Sequence, residues 1–272
     1  MKIIRQKKDL KKLINKINSF SFVPTMGGLH KGHEMLIKKA KVKNKNTLVS
    51  IFVNPKQFNS KNDFISYPRN LKKDVKILKK LKVKYLYYPK YKDIFSFKTK
   101  NKIYLHPFCK KLCGKYRPGH FKGVLNVVNR FLEILNPKYL ILGKKDFQQL
   151  VLIRKHIIKN NINTSVISCK TLRDKNLLPY SSRNFNLNNY NKHLASKVFN
   201  LVRKEKKIIK SKRKKIINFS IVKKKIYSLG IKKIDYIEAI NLDNLKRATK
   251  FNENFSIFCA FYINKVRLID NF

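Results

Sequence analysis

Short apolar runs alternate with segments of three- and four-residue apolar spacing through the first two-thirds of the chain, the rhythm of a parallel sheet covered by helices. The apolar runs predict strands over 20–24, 47–53, 85–88, 139–142 and 165–169, with helices over 32–43, 70–81, 123–135 and 146–159 between them. Past about Arg173 the pattern changes. Helical periodicity over 192–209 and 216–227 gives way to strand-like runs at 235–240, 255–263 and 266–269. The expected fold class is α/β: a Rossmann-like doubly wound parallel sheet over residues 1–173, followed by a smaller α+β C-terminal domain over 174–272. In a doubly wound sheet ligands sit outside the carboxyl ends of the strands, so chemistry is sought where apolar runs end.

Composition narrows the class. With 43% hydrophobic and 12% aromatic residues the 272-residue chain has enough apolar surface for one sizeable core or two modest ones. No window approaches the ~18 uninterrupted apolar residues of a membrane span, and charges run through the first residues, so a cytoplasmic protein with no membrane partner is expected. The four cysteines, Cys109, Cys113, Cys169 and Cys259, are too scattered for a disulfide framework. His106, Cys109 and Cys113 lack a nearby fourth ligand and the spacing of a structural zinc site. The net charge of +51 taken alone points to a polyanion partner. Lysine is enriched together with Asn, Ile, Phe and Tyr, all encoded by AT-rich codons. The basic runs, at 212–215 and 223–225 for instance, are dispersed rather than gathered in a tail. A solvated, self-repelling surface accounts for the charge, and no specific nucleic-acid partner is expected.

The first candidate chemistry stands where the apolar run at 20–24 meets a glycine turn: Phe22-Val-Pro-Thr-Met-Gly-Gly-Leu-His-Lys-Gly-His33. Histidines three apart at a helix start share one side, beside backbone N–H groups and the positive end of the helix dipole, with Gly32 admitting a phosphate. Imidazoles so placed can donate to an α-phosphate as charge builds on it, which favours nucleotidyl transfer. The H-x-G-H element alone says adenylyl transfer and leaves the acceptor open.

Further motifs narrow the acceptor: Phe52-Val-Asn-Pro-Lys-Gln-Phe58 with Tyr67-Pro-Arg69, Leu112-Cys-Gly-Lys-Tyr-Arg-Pro-Gly-His-Phe-Lys-Gly123, Gly143-Lys-Lys-Asp-Phe-Gln-Gln149, Ser181-Ser-Arg-Asn184 and Val266-Arg-Leu-Ile-Asp-Asn271. In order and spacing these resemble the pantothenate synthetase family over nearly the whole chain. The resemblance implies ATP-dependent condensation of pantoate with β-alanine through a pantoyl adenylate, in a homodimer. It implies catalytic roles for His33 (as proton donor), His30 and Lys145. ATP contacts are implied at Met26, Gly27, Gly28, Leu29, His30, Lys31, Gly32 and His33, at Gly143, Lys144, Lys145 and Asp146, and at Leu172, Tyr180, Ser181, Ser182 and Arg183. Gln57 and Gln149, assisted by Asn54, would hold pantoate, and Gln57 would also stand near β-alanine. His30, His33, Lys145 and Arg183 are the expected cations and donors for the phosphates. Magnesium is expected with the triphosphate, near Asp146 or Asp74, with no ligand assigned.

Two segments depart from a simple reading. Arg117-Pro-Gly-His-Phe-Lys-Gly123 reads as a flexible loop entering a helix, with Arg117 and His120 candidates to approach substrate. In 173–184, Leu177 stands where the family carries glycine and Pro179 adds stiffness, so this interdomain segment is expected to act as a stiffened hinge in closure over the active site. A transferase with a phosphorylated acceptor is the nearest alternative, and cations in place of Gln57 and Gln149 would mark it.

Overall fold

In the computed structural model, which describes residues 1–213 and 216–272, six parallel strands form one sheet: β1 (Lys2–Ile4), β2 (Ser21–Thr25), β3 (Thr47–Ile51), β4 (Tyr85–Tyr87), β5 (Tyr139–Gly143) and β6 (Ser165–Cys169). Their order is β1-β4-β3-β2-β5-β6, with parallel register throughout. The chain winds outward from β2 through β3 to β4, then returns to the other side of β2 for β5 and β6. The strand order therefore reverses between β2 and β5, which makes the crevice beyond their carboxyl ends the switch point where such sheets bind ligands.

Both faces of the sheet are covered, which is why β2 and β3 are buried almost along their whole length rather than at alternating positions. On one face Val23, Val49, Leu86 and Ile141 pack with Ile37 and Ala40 of the helix Lys31–Lys43 and Leu78 of the helix Leu71–Lys80. Their strand neighbours point the other way, as the two-residue period demands. Phe22 and Tyr87 meet Phe131 of the helix His120–Leu135 at ring-centroid distances of 5.4 and 6.3 Å. Burying each such side chain contributes about 1.5–3 kcal/mol.

Most expected elements are present with shifted ends, and the shifts have local causes. The helix expected from 123 begins at His120, because Gly119 turns the chain with a φ of 78°. The strand expected to reach 53 stops at Ile51, where Asn54 caps the short turn Pro55–Gln57. β1 and the helix Lys7–Ile14 escape the apolar pattern because Ile4 and Leu10 are the buried side chains there, set among lysines.

The chain divides into two compact units, Met1–Leu172 and Arg173–Phe272. In the second, β7 (Lys233–Asn241), β8 (Phe255–Ile263) and β9 (Val266–Asn271) form an antiparallel sheet in that order. The helices Asn189–Ser211 and Ser220–Ser228 contribute Val198, Phe199, Val202, Val222 and Ile226 to a core shared with Ile257 and Phe261. The second helix starts later than the expected 216 because Ile217 extends to donate its N–H to the Thr249 carbonyl at 3.1 Å. Lys214 and Lys215, from the basic run at 212–215, lie outside the described residues.

The segment expected to hinge is a closed turn. Arg173 bridges Pro179, the Asp174 carboxylate accepts from the N–H groups of Asn176 and Leu178, and Leu177 N–H donates to the Asp174 carbonyl at 2.9 Å. Leu177 holds a φ of 65°, a left-handed conformation that glycine adopts without its Cβ cost. Among the described residues no helix is long and apolar enough to cross a membrane.

Candidate active site

The turn after β2 is built around a buried carboxylate. Thr25 Oγ1 donates to the Ser50 carbonyl at 2.7 Å and accepts from Gly27 N–H at 3.2 Å, tying the strand end to β3. Gly27 and Gly28 then take φ values of 78° and 60°, which only glycine tolerates cheaply. A Cβ on Gly27 would also stand 2.9 Å from Asp74 Oδ2. Asp74, in the first turn of the helix Leu71–Lys80 and 2% exposed, accepts from Gly28 N–H at 3.0 Å through Oδ2 and from Leu29 N–H at 2.8 Å through Oδ1. Burial pushes its pKa up, and the two amide bonds and Lys73 pull it back. Asp74 therefore organises the turn, with both of its oxygens accepting amide bonds.

His30 caps the helix that follows, its Nδ1 accepting from Gly32 N–H at 3.1 Å. That bond puts the ring proton on Nε2 and gives the Gly32 N–H a partner. The His30 and His33 rings meet one turn apart, tilted by 36° with centroids 4.0 Å apart. Burial, with His33 and Lys145 beside it, drives the His30 pKa down to about 2. Burial takes His33 to about 4, with Asp146 opposing and Lys145 assisting. Both imidazoles are neutral at pH 7, so they are N–H donors and not the cations expected alongside Lys145 and Arg183. His33 Nδ1 is buried without a hydrogen-bond partner among the described residues. Lys145 and Asp146 come from the turn Lys144–Asp146 directly after β5, with Lys145 Nζ 3.4 Å from Asp146 Oδ1. The two strand ends that flank the switch point thus deliver the histidine pair and the lysine to one place.

The neutral pair sets a pH dependence for stability. Unfolded imidazoles protonate near pH ~6.5, whereas the folded ones resist it, so the unfolded chain binds more protons on acidification. Stability is full above that value and falls as pH drops from about 6.5 toward 4, where His33 itself protonates in the folded chain. Urea unfolding between pH 7.5 and 4.5 should show this decline, and His33→Asn should make it shallower; equal slopes in the two proteins would refute the assignment.

Beside the turn, residues 54–59 are stitched to the start of the helix His120–Leu135. Asn54 Nδ2 donates to the Gly123 carbonyl at 3.1 Å and lies 3.4 Å from Gln57 Oε1, while Gln57 Nε2 reaches Met26 Sδ at 2.6 Å. Helix and loop approach so closely that a Cβ on Gly123 would fall 2.2 Å from the Lys56 carbonyl oxygen. The main-chain oxygen of Gln57 accepts from His120 Nδ1 at 2.7 Å and from Arg117 Nη2 at 3.2 Å, and Arg117 Nη1 lies 3.1 Å from His120 Nε2. The loop expected to be flexible is a clamp on Gln57, not a free arm. Replacing Arg117 with lysine removes the planar fork that serves Gln57, Asn59 and His120 together. If Gln57 contacts a substrate, the expected result is a KM rise of about tenfold for that substrate with kcat little changed; steady-state kinetics would read the split.

The remaining expected residues divide as follows. Gln149 is half-buried on the helix Phe147–Lys159, whereas its neighbour Gln148 is structural, donating to the carbonyls of Phe108 and Lys111 and accepting from Cys113 N–H. Leu172 is exposed at the end of the first unit. In the second unit Tyr180 and Arg183 are half-buried and Ser182 is buried, while Ser181 Oγ accepts from Arg183 N–H at 3.3 Å and caps the short turn Ser182–Asn186.

A parallel doubly wound sheet whose switch point carries a glycine turn and an H-x-G-H helix start defines an α/β nucleotidyl-transfer fold. The family model for pantoate-beta-alanine ligase matches residues 2–272. The chain therefore belongs to the pantoate–β-alanine ligase family. It is 41% identical over 272 residues to the pantothenate synthetase of Francisella tularensis subsp. novicida, covering 99% of this chain and 95% of the relative. Among solved structures it is similar to the pantoate-beta-alanine ligase from Francisella tularensis complexed with beta-gamma ATP and beta-alanine, with 40% identity, a TM-score of 0.85 and coverage of 100% and 97% of the two chains. It also matches the pantothenate synthetase from Thermus thermophilus, with 26% identity, a TM-score of 0.92 and coverage of 100% and 99%.

Proposed function

We propose that this chain condenses pantoate with β-alanine in an ATP-dependent reaction of pantothenate biosynthesis. The carboxylate of pantoate attacks the α-phosphorus of ATP, forming an acyl–phosphate bond and expelling pyrophosphate. The amine of β-alanine then attacks the acyl carbon of the adenylate, and AMP departs. The observation that carries this reading is the closely packed, neutral histidine pair at the switch point of a chain from this family.

The residues suit the two steps. A carboxylate nucleophile is ionised at neutral pH, so the first step needs alignment and charge stabilisation rather than a strong base. His30, through its Nε2–H, and His33 are assigned to the α-phosphate oxygens, where neutral donors strengthen as negative charge grows. Lys145 supplies the fixed cation, and Met26 to His33, Gly143, Lys144, Asp146, Leu172 and Tyr180 complete the assigned ATP contacts. Ser181, Ser182 and Arg183 of the second unit are assigned to the phosphates. Gln57, Gln149 and Asn54 are assigned to pantoate, and Gln57 also to β-alanine; an amide both donates and accepts, which fits a substrate bearing hydroxyls and a carboxylate.

Magnesium is assigned to the triphosphate, where it offsets charge on the departing pyrophosphate. Both Asp74 oxygens are already held by amides, and no trio of His, Cys, Asp or Glu side chains suited to a metal occurs among the described residues. Asp146, about half exposed, is the carboxylate assigned to the ion's water shell. We further assign a homodimer and a cytoplasmic setting. Pyrophosphate release measured with ATP and pantoate, with and without β-alanine, tests the reaction: release with pantoate, and AMP with pantothenate only when β-alanine is added, is expected. A folded sample inactive with these substrates would overturn it.

A further inference from the structure

The second unit carries a concave basic site of its own. The helix Asn189–Ser211 turns Val198, Phe199, Val202 and Ile209 into the core, and that rotation leaves Arg203, Lys206, Lys207 and Lys210 at spacings of three, four and seven along one face. With Arg173 and the Phe272 ring these four line a cavity of about 510 Å³, a size typical of small-molecule sites. Among the described residues no acidic side chain lines it. Glu205, the acid of this helix, is buried and does not line the cavity.

Like charges at three- and four-residue spacing destabilise a helix, and lysines on a convex surface relieve that by splaying into water. Here they are gathered. Lys206 Nζ donates to the main-chain oxygen of Phe272 at 2.9 Å and stands 5.5 Å from the Phe255 ring centroid, while Lys210 Nζ is 4.7 Å from the same centroid. Burial and the charge of Lys210 both hold Lys206 below the ordinary lysine range. Arg173 is fixed as a fork, both Nη atoms on the buried carboxylate of Asp270 and the guanidinium 4.9 Å over the Phe272 ring. The Asp270 carboxylate matches the charge of Arg173, and Lys206 and Lys210 each hold a main-chain oxygen at 2.9 Å, of Phe272 and Glu253, so Arg203 and Lys207 carry most of the charge that a bound anion would offset. From Arg203 to Lys210 the four cations span about 10 Å of helix, longer than one phosphate and matched to a chain of two or three.

We propose that this cavity binds a small anion bearing a chain of two or more phosphate groups, gripped by Arg203, Lys206, Lys207 and Lys210. The ligand is either a free oligophosphate or the phosphate chain of a nucleotide, and the two share the chemistry the site recognises. A nucleic acid would instead engage the dispersed lysines of the whole surface.

Lysine acetylation of the full chain, read by mass spectrometry at near-physiological salt, tests the site with inorganic tripolyphosphate and with ATP as probes. With probe at ten times its dissociation constant, modification of Lys206, Lys207 and Lys210 should slow by about tenfold, while Lys223, Lys224 and Lys225 react unchanged. Equal protection by both probes identifies the free oligophosphate as sufficient, and stronger protection by ATP identifies a nucleotide; either supports the site. The double variant Arg203→Gln/Lys207→Gln should weaken this protection by about tenfold or more without loss of fold, each lost charge-assisted bond contributing. Protection spread evenly over the chain, confined to Lys145, or unchanged in the double variant overturns the proposal.

Discussion

His33→Ala is expected to lower the rate of adenylate formation by about 10²–10³-fold, the loss that follows removal of one preorganised donor to a developing oxyanion. The ring stands 4.0 Å from His30 by centroids, and its buried Nδ1 has no hydrogen-bond partner among the described residues, so the side chain is not retained for a structural bond. Two readouts separate catalysis from folding. Pyrophosphate release falls, while stability below pH ~6.5 improves relative to the parent, because the group with a pKa of about 4 that opposed acidification is gone. An enzyme that kept its rate, or lost rate and acid stability together, would show that His33 holds the fold rather than the phosphate. His30→Ala should be worse behaved, since it also removes the cap on Gly32 N–H, which is worth about 1 kcal/mol.

The strands at the centre of the sheet were legible because burial on both faces concentrates apolar residues there, and the run at 165–169 coincides with the edge strand β6 residue for residue. β1 was not, since an edge strand of three residues with a single buried side chain writes almost nothing into the pattern. The histidine pair was legible as a spacing, and its charge state was not: neutrality comes from burial and from Lys145, more than a hundred residues along the chain. Arg117 and His120 looked like substrate contacts because loop cations beside glycine and proline usually serve ligands or turns. Their actual target, a main-chain carbonyl, carries no side-chain signature at all. Gln148 and Gln149 are indistinguishable in sequence, and only the turn of the helix separates the buried strut from its half-buried neighbour.

Asp74 shows the same limit most plainly, and its replacement carries the second large expected effect. An aspartate in the first turn of a helix ordinarily reads as favourable to the dipole, and nothing near it names Gly28 and Leu29, 46 and 45 residues away. Asp74→Ala removes the acceptor of two N–H groups in a buried turn, at about 1–3 kcal/mol each, so urea unfolding should register a loss of roughly 2–6 kcal/mol. Those amides belong to the turn that sets where His30 and His33 stand, so the KM for ATP should rise with the loss of stability rather than independently of it. Asp74→Asn refines the test. One oxygen can still serve one amide, but the other position becomes an NH₂ facing an N–H donor, so the variant should recover less than half of the stability lost by alanine. A metal-ligand role makes the opposite prediction: Asp74→Ala would then be nearly neutral for stability in the absence of magnesium, and its activity loss would shrink as magnesium is raised.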